Sequence, residues 1–293
     1  MKNRKIKFLL CVVQTAIILC FGACSSFDHT STLPQISQSD AAGSLQEPVG
    51  TDNVKIFFLK TKDDADCIVL QSSAGVIMID TAEEQDVSFI TAWLNSEKIQ
   101  QIDCLILTHP DKDHIGGAVQ LVDQFTVKQV IEPKYDGEKE QLTILNNVLE
   151  SKRIPVLYPT QPYDFTLGEI KITIYPPEQQ SYSGENNYSL VTLVRHGSVN
   201  MLFAGDAEKK RLAELLQQQW PAINLLKAPY HGRLTGNSVA FIEQIAPQYA
   251  VITALQADEE IKAAYEKQGT DLYYSCLNTV VFISDGENIT NLS

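Results

Sequence analysis

The chain has few of the features that would assign it quickly. Beyond residues 8–21 there is no apolar run long enough to cross a membrane as a helix. Six cysteines occur in 293 residues with no Cys-x-x-Cys pair, which argues against a zinc ribbon and gives no disulfide framework. Two of them, Cys11 and Cys20, lie in the N-terminal apolar run. Cys67, Cys104 and Cys276 sit in apolar, strand-like surroundings where packing is the natural role. Positive charge is scarce as well: 23 Lys and Arg stand against 36 Asp and Glu, a net charge of −13. An acidic surface of this kind does not track along a polyanion, which needs a basic face. Histidine occurs only 5 times, so a place where two of them fall within six residues stands out.

What is present begins with a basic N-terminus, Lys2, Arg4, Lys5 and Lys7, followed by the apolar segment Phe8 to Phe21. That segment is short for a comfortable membrane span and fits the apolar stretch of an export signal. Phe21-Gly22-Ala23-Cys24 follows, then Ser25-Ser26. Small residues before a cysteine resemble a bacterial lipoprotein signal, although Phe21 stands where Leu is preferred. This reading makes residues 1–23 a lipoprotein signal peptide and Cys24 the lipidated first residue of the mature protein. The localisation it implies is the extracytoplasmic face of a bacterial cell membrane, lipid-anchored; an uncleaved signal anchor is the alternative. Cleavage would remove four positive charges and take the net charge from −13 to −17. Residues 24–53, rich in Ser, Thr, Gln, Pro and Gly, read as a disordered tether with a reach of roughly 30 Å. Residues 54–293 are left for one large domain with an ample core.

Within that domain the chemistry concentrates in Thr108-His109-Pro110-Asp111-Lys112-Asp113-His114-Ile115-Gly116-Gly117. The stretch follows the apolar run Ile102 to Leu107, read as a buried strand, and precedes Ala118 to Phe125, whose apolar residues recur at helical spacing. Two imidazoles and two carboxylates on a strand-to-helix loop suit a metal. In an extended loop His109, Asp111 and Asp113 would point the same way, with His114 entering from the side. Gly116 and Gly117 would keep bulk away from bound ions.

These residues resemble the metallo-β-lactamase superfamily, whose signature is His-x-His-x-Asp-His; Asp111 replaces the second histidine. The variant His-x-Asp-x-Asp-His-x-Gly-Gly is most similar to the metallohydrolase domain of ComEC-type competence (DNA-uptake) proteins. The resemblance implies an α/β (α+β) fold, an αββα four-layer sandwich of two mixed β-sheets flanked by helices. The pattern of strand meander then helix, repeated once, agrees with it. It also implies two divalent metal ions, manganese or zinc. By the same resemblance Asp206, after Leu202-Phe203-Ala204-Gly205, matches the bridging aspartate, and His231, in Pro229-Tyr230-His231-Gly232, matches the final histidine. Tyr230 stands where ComEC-type proteins often have a further histidine. The middle histidine of the superfamily is missing; Asn186-Asn187-Tyr188-Ser189 fits the Asn-x-x-Ser of ComEC-type domains.

The expected metal ligands are therefore His109, Asp111, Asp113, His114, Asp206 and His231. Asn186 or Asn187 is expected to supply an oxygen or hold substrate, unless the pair only forms a turn. Lys227 and Ser238 flank His231 as phosphate contacts, Lys227 alternatively being a solvated strand-end charge. Asp113, Asp206, Lys227 and Tyr230 form the candidate catalytic group. Asp80, ending the strand Val76 to Ile79, either orients a ligand histidine or caps the next helix. His196 is expected in an exposed hairpin turn, and Leu272 to Cys276 with Thr279 to Ser284 in a final antiparallel pair.

An oxygen-rich ligand set shifts preference toward hard ions such as manganese. With two ions that chemistry suits phosphodiesters, and the acidic surface favours a small or single-stranded one. Hydrolysis of esters, lactones, thioesters or β-lactams, and a non-enzymatic surface lipoprotein that kept the fold, are the alternatives.

Overall fold

Alternation of side chains across the strands divides the apolar residues of the domain into three cores, and these define its layers. The computed structural model describes residues 52–293; the signal-like segment, Cys24 and nearly all of the tether lie outside the described residues. The first half holds β1 (Val54–Phe58), β2 (Ile68–Ser72), β3 (Gly75–Ile79), β4 (Gln101–Ile102), β5 (Cys104–Ile106), β6 (Thr126–Val127), β7 (Val130–Ile131) and β8 (Val156–Leu157). The second holds β9 (Tyr163–Leu167), β10 (Ile170–Tyr175), β11 (Val191–His196), β12 (Val199–Phe203), β13 (Leu225–Lys227), β14 (Tyr249–Ile252), β15 (Asp271–Tyr274), β16 (Val280–Ser284) and β17 (Ile289–Asn291). Helices α1 (Val87–Ser96), α2 (Lys112–Ile115), α3 (Ala118–Gln124) and α4 (Glu140–Lys152) belong to the first half; α5 (Lys209–Leu215), α6 (Ser238–Ile245) and α7 (Glu259–Gln268) belong to the second.

One sheet runs β17-β16-β1-β2-β3-β5-β7-β8 and the other β15-β14-β13-β12-β11-β10-β9, while β4 and β6 form a small separate pair. Both large sheets are mixed. Ile56, Phe58, Ile77 and Ile79 of the first face Ile172, Val194, Met201, Phe203 and Leu225 of the second in a shared inner core. The outward neighbours Phe57, Leu59 and Met78 pack instead with Ile90, Leu94, Leu121 and Leu149 of α1, α3 and α4. On the far side Leu202, Leu226 and Ala250 pack with Leu212, Phe241, Ile242, Ile261 and Tyr265 of α5, α6 and α7. This is the αββα sandwich, two mixed sheets between two layers of helix.

The parallel strands position the site. β3, β5, β7 and β8 are parallel in one sheet, and β12, β13, β14 and β15 in the other. Their carboxyl ends lead into the loops that carry Asp80, His109 to His114, Asp206, His231 and Thr253, the edge where parallel α/β sheets place ligands.

Three sequence expectations are corrected. Residues 271–274 and 280–284 do not pair: β15 lies parallel to β14 in one sheet, and β16 antiparallel to β1 in the other. The two runs look like a hairpin because only five residues separate them, yet that connection crosses between sheets. The run Phe165 to Tyr175, whose β-rich composition reads as one strand, is two strands, β9 and β10, split at Gly168, whose φ of +58° makes the turn. His196 is not an exposed turn residue: it ends β11, is fully buried, and its Nδ1 lies 2.9 Å from Ser284 Oγ.

Candidate metal centre

The ligand loop is less extended than its spacing suggests. Asp111 has extended backbone (φ −80°, ψ 152°), but α2 begins at Lys112, so Asp113 and His114 already belong to a helical turn. Asp113 therefore joins His114 rather than His109. Its Oδ2 lies 3.6 Å from His114 Nε2 and 3.4 Å from His231 Nε2. Asp206 closes the group, with Oδ1 3.5 Å from His114 Nε2 and Oδ2 3.0 Å from His231 Nε2. The donor atoms of Asp113, His114, Asp206 and His231 all lie within 4.8 Å of one another. His109 and Asp111 stand beside this group: the His109 and His114 ring centroids are 4.0 Å apart, and His109 Nε2 is 3.5 Å from Asp111 Oδ2.

The Nε2 atoms of His109, His114 and His231 are all buried, and none has a hydrogen-bond partner. A buried ring nitrogen without a partner is costly, and three converging on carboxylates fit the ligands of a divalent ion. The opposite nitrogens are anchored. His114 Nδ1 is 2.7 Å from Asp80 Oδ2, and His231 Nδ1 is 2.9 Å from Thr253 Oγ1 and 3.1 Å from the Thr253 carbonyl. His109 Nδ1 is 3.1 Å from Thr108 Oγ1. Asp80 also accepts from the Thr108 amide and hydroxyl, each at 2.7 Å. These contacts keep the proton on Nδ1 and turn each Nε2 lone pair inward. Asp80 thus orients a ligand histidine and does not cap α1, which the sequence alone left open.

Beneath the donors lies a buried ion network. Lys227 Nζ is 2.6 Å from Asp66 Oδ2, 3.1 Å from Asp206 Oδ1 and 2.9 Å from the Gly205 carbonyl. Burial works against charge on Lys227, but Asp66 and Asp206 outweigh it and hold the ammonium above its ordinary range. Burial would likewise raise both aspartates. For Asp66 the charge of Lys227 prevails, with His114 and His231 adding to it; for Asp206 His231, Lys227 and His114 prevail; both carboxyls lie below the usual range. Burial would depress His231, yet Asp206 and then Asp113 raise it to about 9. His114 is raised also, by Asp206 and Asp80. Asp66 and Asp206 are thus held ionised by their positive neighbours, and Lys227, His114 and His231 are drawn to the charged form by the carboxylates.

The backbone here is strained. Asp80, Ala82, Tyr230 and His231 all have positive φ, at 58°, 54°, 48° and 50°. Side chains with a Cβ rarely adopt that region, and four such residues around one cluster mark a place where geometry is held by its surroundings.

Several expected residues fall elsewhere. Lys227 is neither a solvated charge nor a phosphate contact, because it is fully buried under Asp206. Asn187 is spent on structure: its Oδ1 accepts the amides of Lys210 and Arg211 at the start of α5, at 3.1 and 3.0 Å. Asn186 Nδ2 reaches Glu208 Oε1 at 3.3 Å, away from the donors. The Ser238 hydroxyl accepts the Thr235 amide at 3.0 Å. The Tyr230 ring lies 5.4 Å from the Arg233 guanidinium. Gly116 and Gly117 give room to backbone and not to ions; a Cβ would meet Lys112 O at 2.3 Å and Thr81 O at 2.5 Å respectively.

Asp66 was not among the expected site residues, nor was Ser189, whose Oγ accepts the Asp206 amide at 3.0 Å and lies 3.5 Å from His109 Nδ1. Lys139 was also missed; it holds Asp111 at 2.9 Å and Glu185 at 3.2 Å.

The family model described as the metallo-beta-lactamase superfamily matches residues 61–254. The chain belongs to that superfamily. It is 31% identical over 172 residues to ComE operon protein 3 of Bacillus subtilis (strain 168), covering 55% of this chain and 21% of that protein. It is 27% identical over 153 residues to Recombination protein 2 of Haemophilus influenzae, covering 52% of this chain and 18% of that one. The chain therefore spans about a fifth of the length of these relatives. Among solved structures it is similar to YhfI of Bacillus subtilis, a metallo-β-lactamase fold protein, with a TM-score of 0.56 and 12% identity over 80% of this chain and 100% of that one, a likeness of fold. Both ComEC-type relatives agree with the resemblance carried by the ligand loop.

Proposed function

We propose that this member of the superfamily is a hydrolase of phosphodiester bonds dependent on two divalent ions, manganese in preference to zinc. We also propose that it acts outside the bacterial cytoplasm, tethered to the membrane by a lipid on Cys24. The observation that carries the enzymatic reading is the convergence of the buried His114 and His231 Nε2 atoms on the carboxylates of Asp113 and Asp206, with His109 Nε2 facing Asp111 beside them. Asp113, His114, Asp206 and His231, with His109 and Asp111 alongside, would hold the ions, whose Lewis acidity when bound would serve water and the phosphoryl group. The chain's own part is orientation. Asp80, Thr108 and Thr253 fix the imidazole tautomers; Lys227 occupies Asp206 Oδ1 and directs Oδ2 toward His231. Lys139, partly exposed beside Asp111, offers an ammonium to an anionic substrate at the rim.

Three carboxylates among the candidate ligands, Asp111, Asp113 and Asp206, favour hard ions. The charge of −13 disfavours a long duplex. The test uses the full chain in detergent, with metal content measured and turnover followed on bis(4-nitrophenyl) phosphate, a short single-stranded oligonucleotide, duplex DNA, a thioester and a chromogenic β-lactam, each with manganese and with zinc. The expected order is single strand and small diester first, duplex last, manganese above zinc. Turnover of the thioester or β-lactam with inert phosphodiesters would replace this reading by carboxylic-ester chemistry.

A further inference from the structure

Three tyrosines from two separate loops meet beside the metal centre. Tyr135 follows β7, while Tyr182 and Tyr188 belong to the loop between β10 and β11. Tyr188 is buried and forms a floor. The Tyr135 ring stands edge-on to it, centroids 4.9 Å apart at 78°, and the Tyr182 ring does the same at 5.1 Å and 74°. Both wall rings are half-buried. Gly137, Ser183 and Gly184 complete the lining and leave the mouth open. The cavity volume is about 120 Å³, smaller than a site for a whole small molecule and suited to a single ring system.

The hydroxyls of these rings are already engaged. Tyr188 donates to Asp136 and accepts the Tyr182 amide at 3.1 Å. Tyr182 donates to Glu214 at 2.5 Å and accepts the Gln179 amide at 2.9 Å. Tyr135 donates to Glu185 at 3.4 Å. Anchored hydroxyls hold the rings in place, and the half-exposed Tyr135 and Tyr182 rings, braced on the buried Tyr188, are what the pocket offers a flat ligand. Asp136 and Glu185 at the lip repel a phosphate, so the part of a ligand that enters is neutral, and ring walls select a flat one. Lys139 lies just outside, 3.2 Å from Glu185 and 2.9 Å from Asp111, on the route to the donor cluster. Tyr135 also lines the small cavity that borders His109.

We propose that this pocket is a substrate subsite that stacks the nucleobase of a nucleotidyl phosphodiester, with Lys139 and the metal centre receiving the phosphoryl group. The proposal rests on the phosphodiester reading above and narrows it to nucleotide-bearing substrates, single-stranded because a stacked base must be unpaired. Recognition by ring faces tolerates any base.

The experiment compares two substrates sharing a leaving group, thymidine 5′-(4-nitrophenyl) phosphate and methyl 4-nitrophenyl phosphate, with the full-length protein in detergent. The ratio of their kcat/KM values is read for the wild type and for Tyr135→Leu, Tyr182→Leu and Tyr135→Phe. One base–aromatic stack corresponds to roughly tenfold. The wild-type ratio is expected to exceed ten, to fall about tenfold in each Leu variant, and to survive in Tyr135→Phe, which keeps the ring. Quenching of 2-aminopurine riboside fluorescence on the same proteins reads stacking without turnover. A wild-type ratio near one, or equal loss in the Phe and Leu variants, overturns the subsite while leaving the phosphodiesterase reading intact. If neither ester is cleaved, that reading falls, and the pocket is judged on quenching alone: quenching lost in the Leu variants supports it, and none in the wild type overturns it.

Discussion

Replacing Lys227 by Met tests whether the ion network under the metal centre is built as described. Lys227 and Asp66 are essentially without solvent exposure, at 0% and 1%, and 2.6 Å apart. Asp66 Oδ1 has no hydrogen-bond partner even in the intact protein, so the Lys227 contact carries most of that carboxylate's compensation. Removing one member of a buried pair leaves the other charge in low dielectric and typically costs about 3–5 kcal/mol. In a domain of this size about 2–4 °C of melting temperature accompanies each kcal/mol, so Lys227→Met should lower Tm by roughly 6–20 °C. Asp66→Asn should cost a comparable amount. The double variant should cost less than the two singles combined, by about 1–3 kcal/mol, since the Asp66 charge is then no longer stranded and only Asp206 has lost a partner. Manganese should raise the Tm of Lys227→Met more than that of the wild type, because Asp206 has lost its fixed cation. The assay is urea and thermal unfolding of the four proteins at pH 7, with and without manganese. A Lys227→Met cost below about 1 kcal/mol, or strict additivity, would refute the reasoning.

Three further outcomes are expected. Burial raises the Glu132 carboxyl to about 7, with a Tyr158 hydrogen bond acting weakly against it. The folded protein then keeps a proton that the unfolded chain releases above about 4.5, and stability should fall by roughly 3 kcal/mol as pH rises from about 4.5 to about 7, then level off. Glu132→Gln should flatten that slope and stabilise the protein at pH 8, as measured by urea midpoints across pH. Asp206→Ala should abolish turnover and lose at least one metal equivalent by elemental analysis; His196→Ala, which breaks the 2.9 Å contact with Ser284 between the sheets, should cost roughly 1–3 kcal/mol of stability yet leave metal content unchanged. Cys24→Ala should move the protein from the membrane pellet to the soluble fraction; retention in the pellet would make residues 8–21 the anchor.

The fold was legible because its signals are periodic. The alternation in Val54 to Phe58, which sends Ile56 and Phe58 inward and Phe57 toward the helices, is a local pattern. The crossover after Tyr274 is not local: nothing in residues 275–279 says whether the next strand returns to its neighbour or joins β1 in the other sheet. Within the site, residues carrying a loop motif were legible, since two histidines and two aspartates in six positions have few other uses. Asp66 was hidden in Asp63-Asp64-Ala65-Asp66, which reads as a solvated acidic loop. Its signal was position, directly before the buried run Cys67 to Leu70, where burial forces a partner on any carboxylate. Asn187 misled for the opposite reason: an asparagine before a strand suits a ligand, a turn or a cap equally well, and only the fold shows α5 arriving with its amides free.

Charge balance connects the buried network to the proposed substrate. Asp66, Asp80, Asp111, Asp113 and Asp206 place five carboxylates at or directly behind the centre, against the buried ammonium of Lys227; at the rim Lys139 is matched by Glu185. With neutral imidazoles the deficit is four charges. The elevated titration of His114 and His231 expresses it, because protons are drawn to the same atoms that would hold an ion. One divalent ion in that balance would leave the site negative and repellent to an anionic phosphodiester. A second would bring it to neutrality and remove that repulsion. Without Lys227 the site would stay negative even with two ions. On the proposed reading a lysine buried away from any substrate thus acts on it all the same, by setting the charge that two ions must complete.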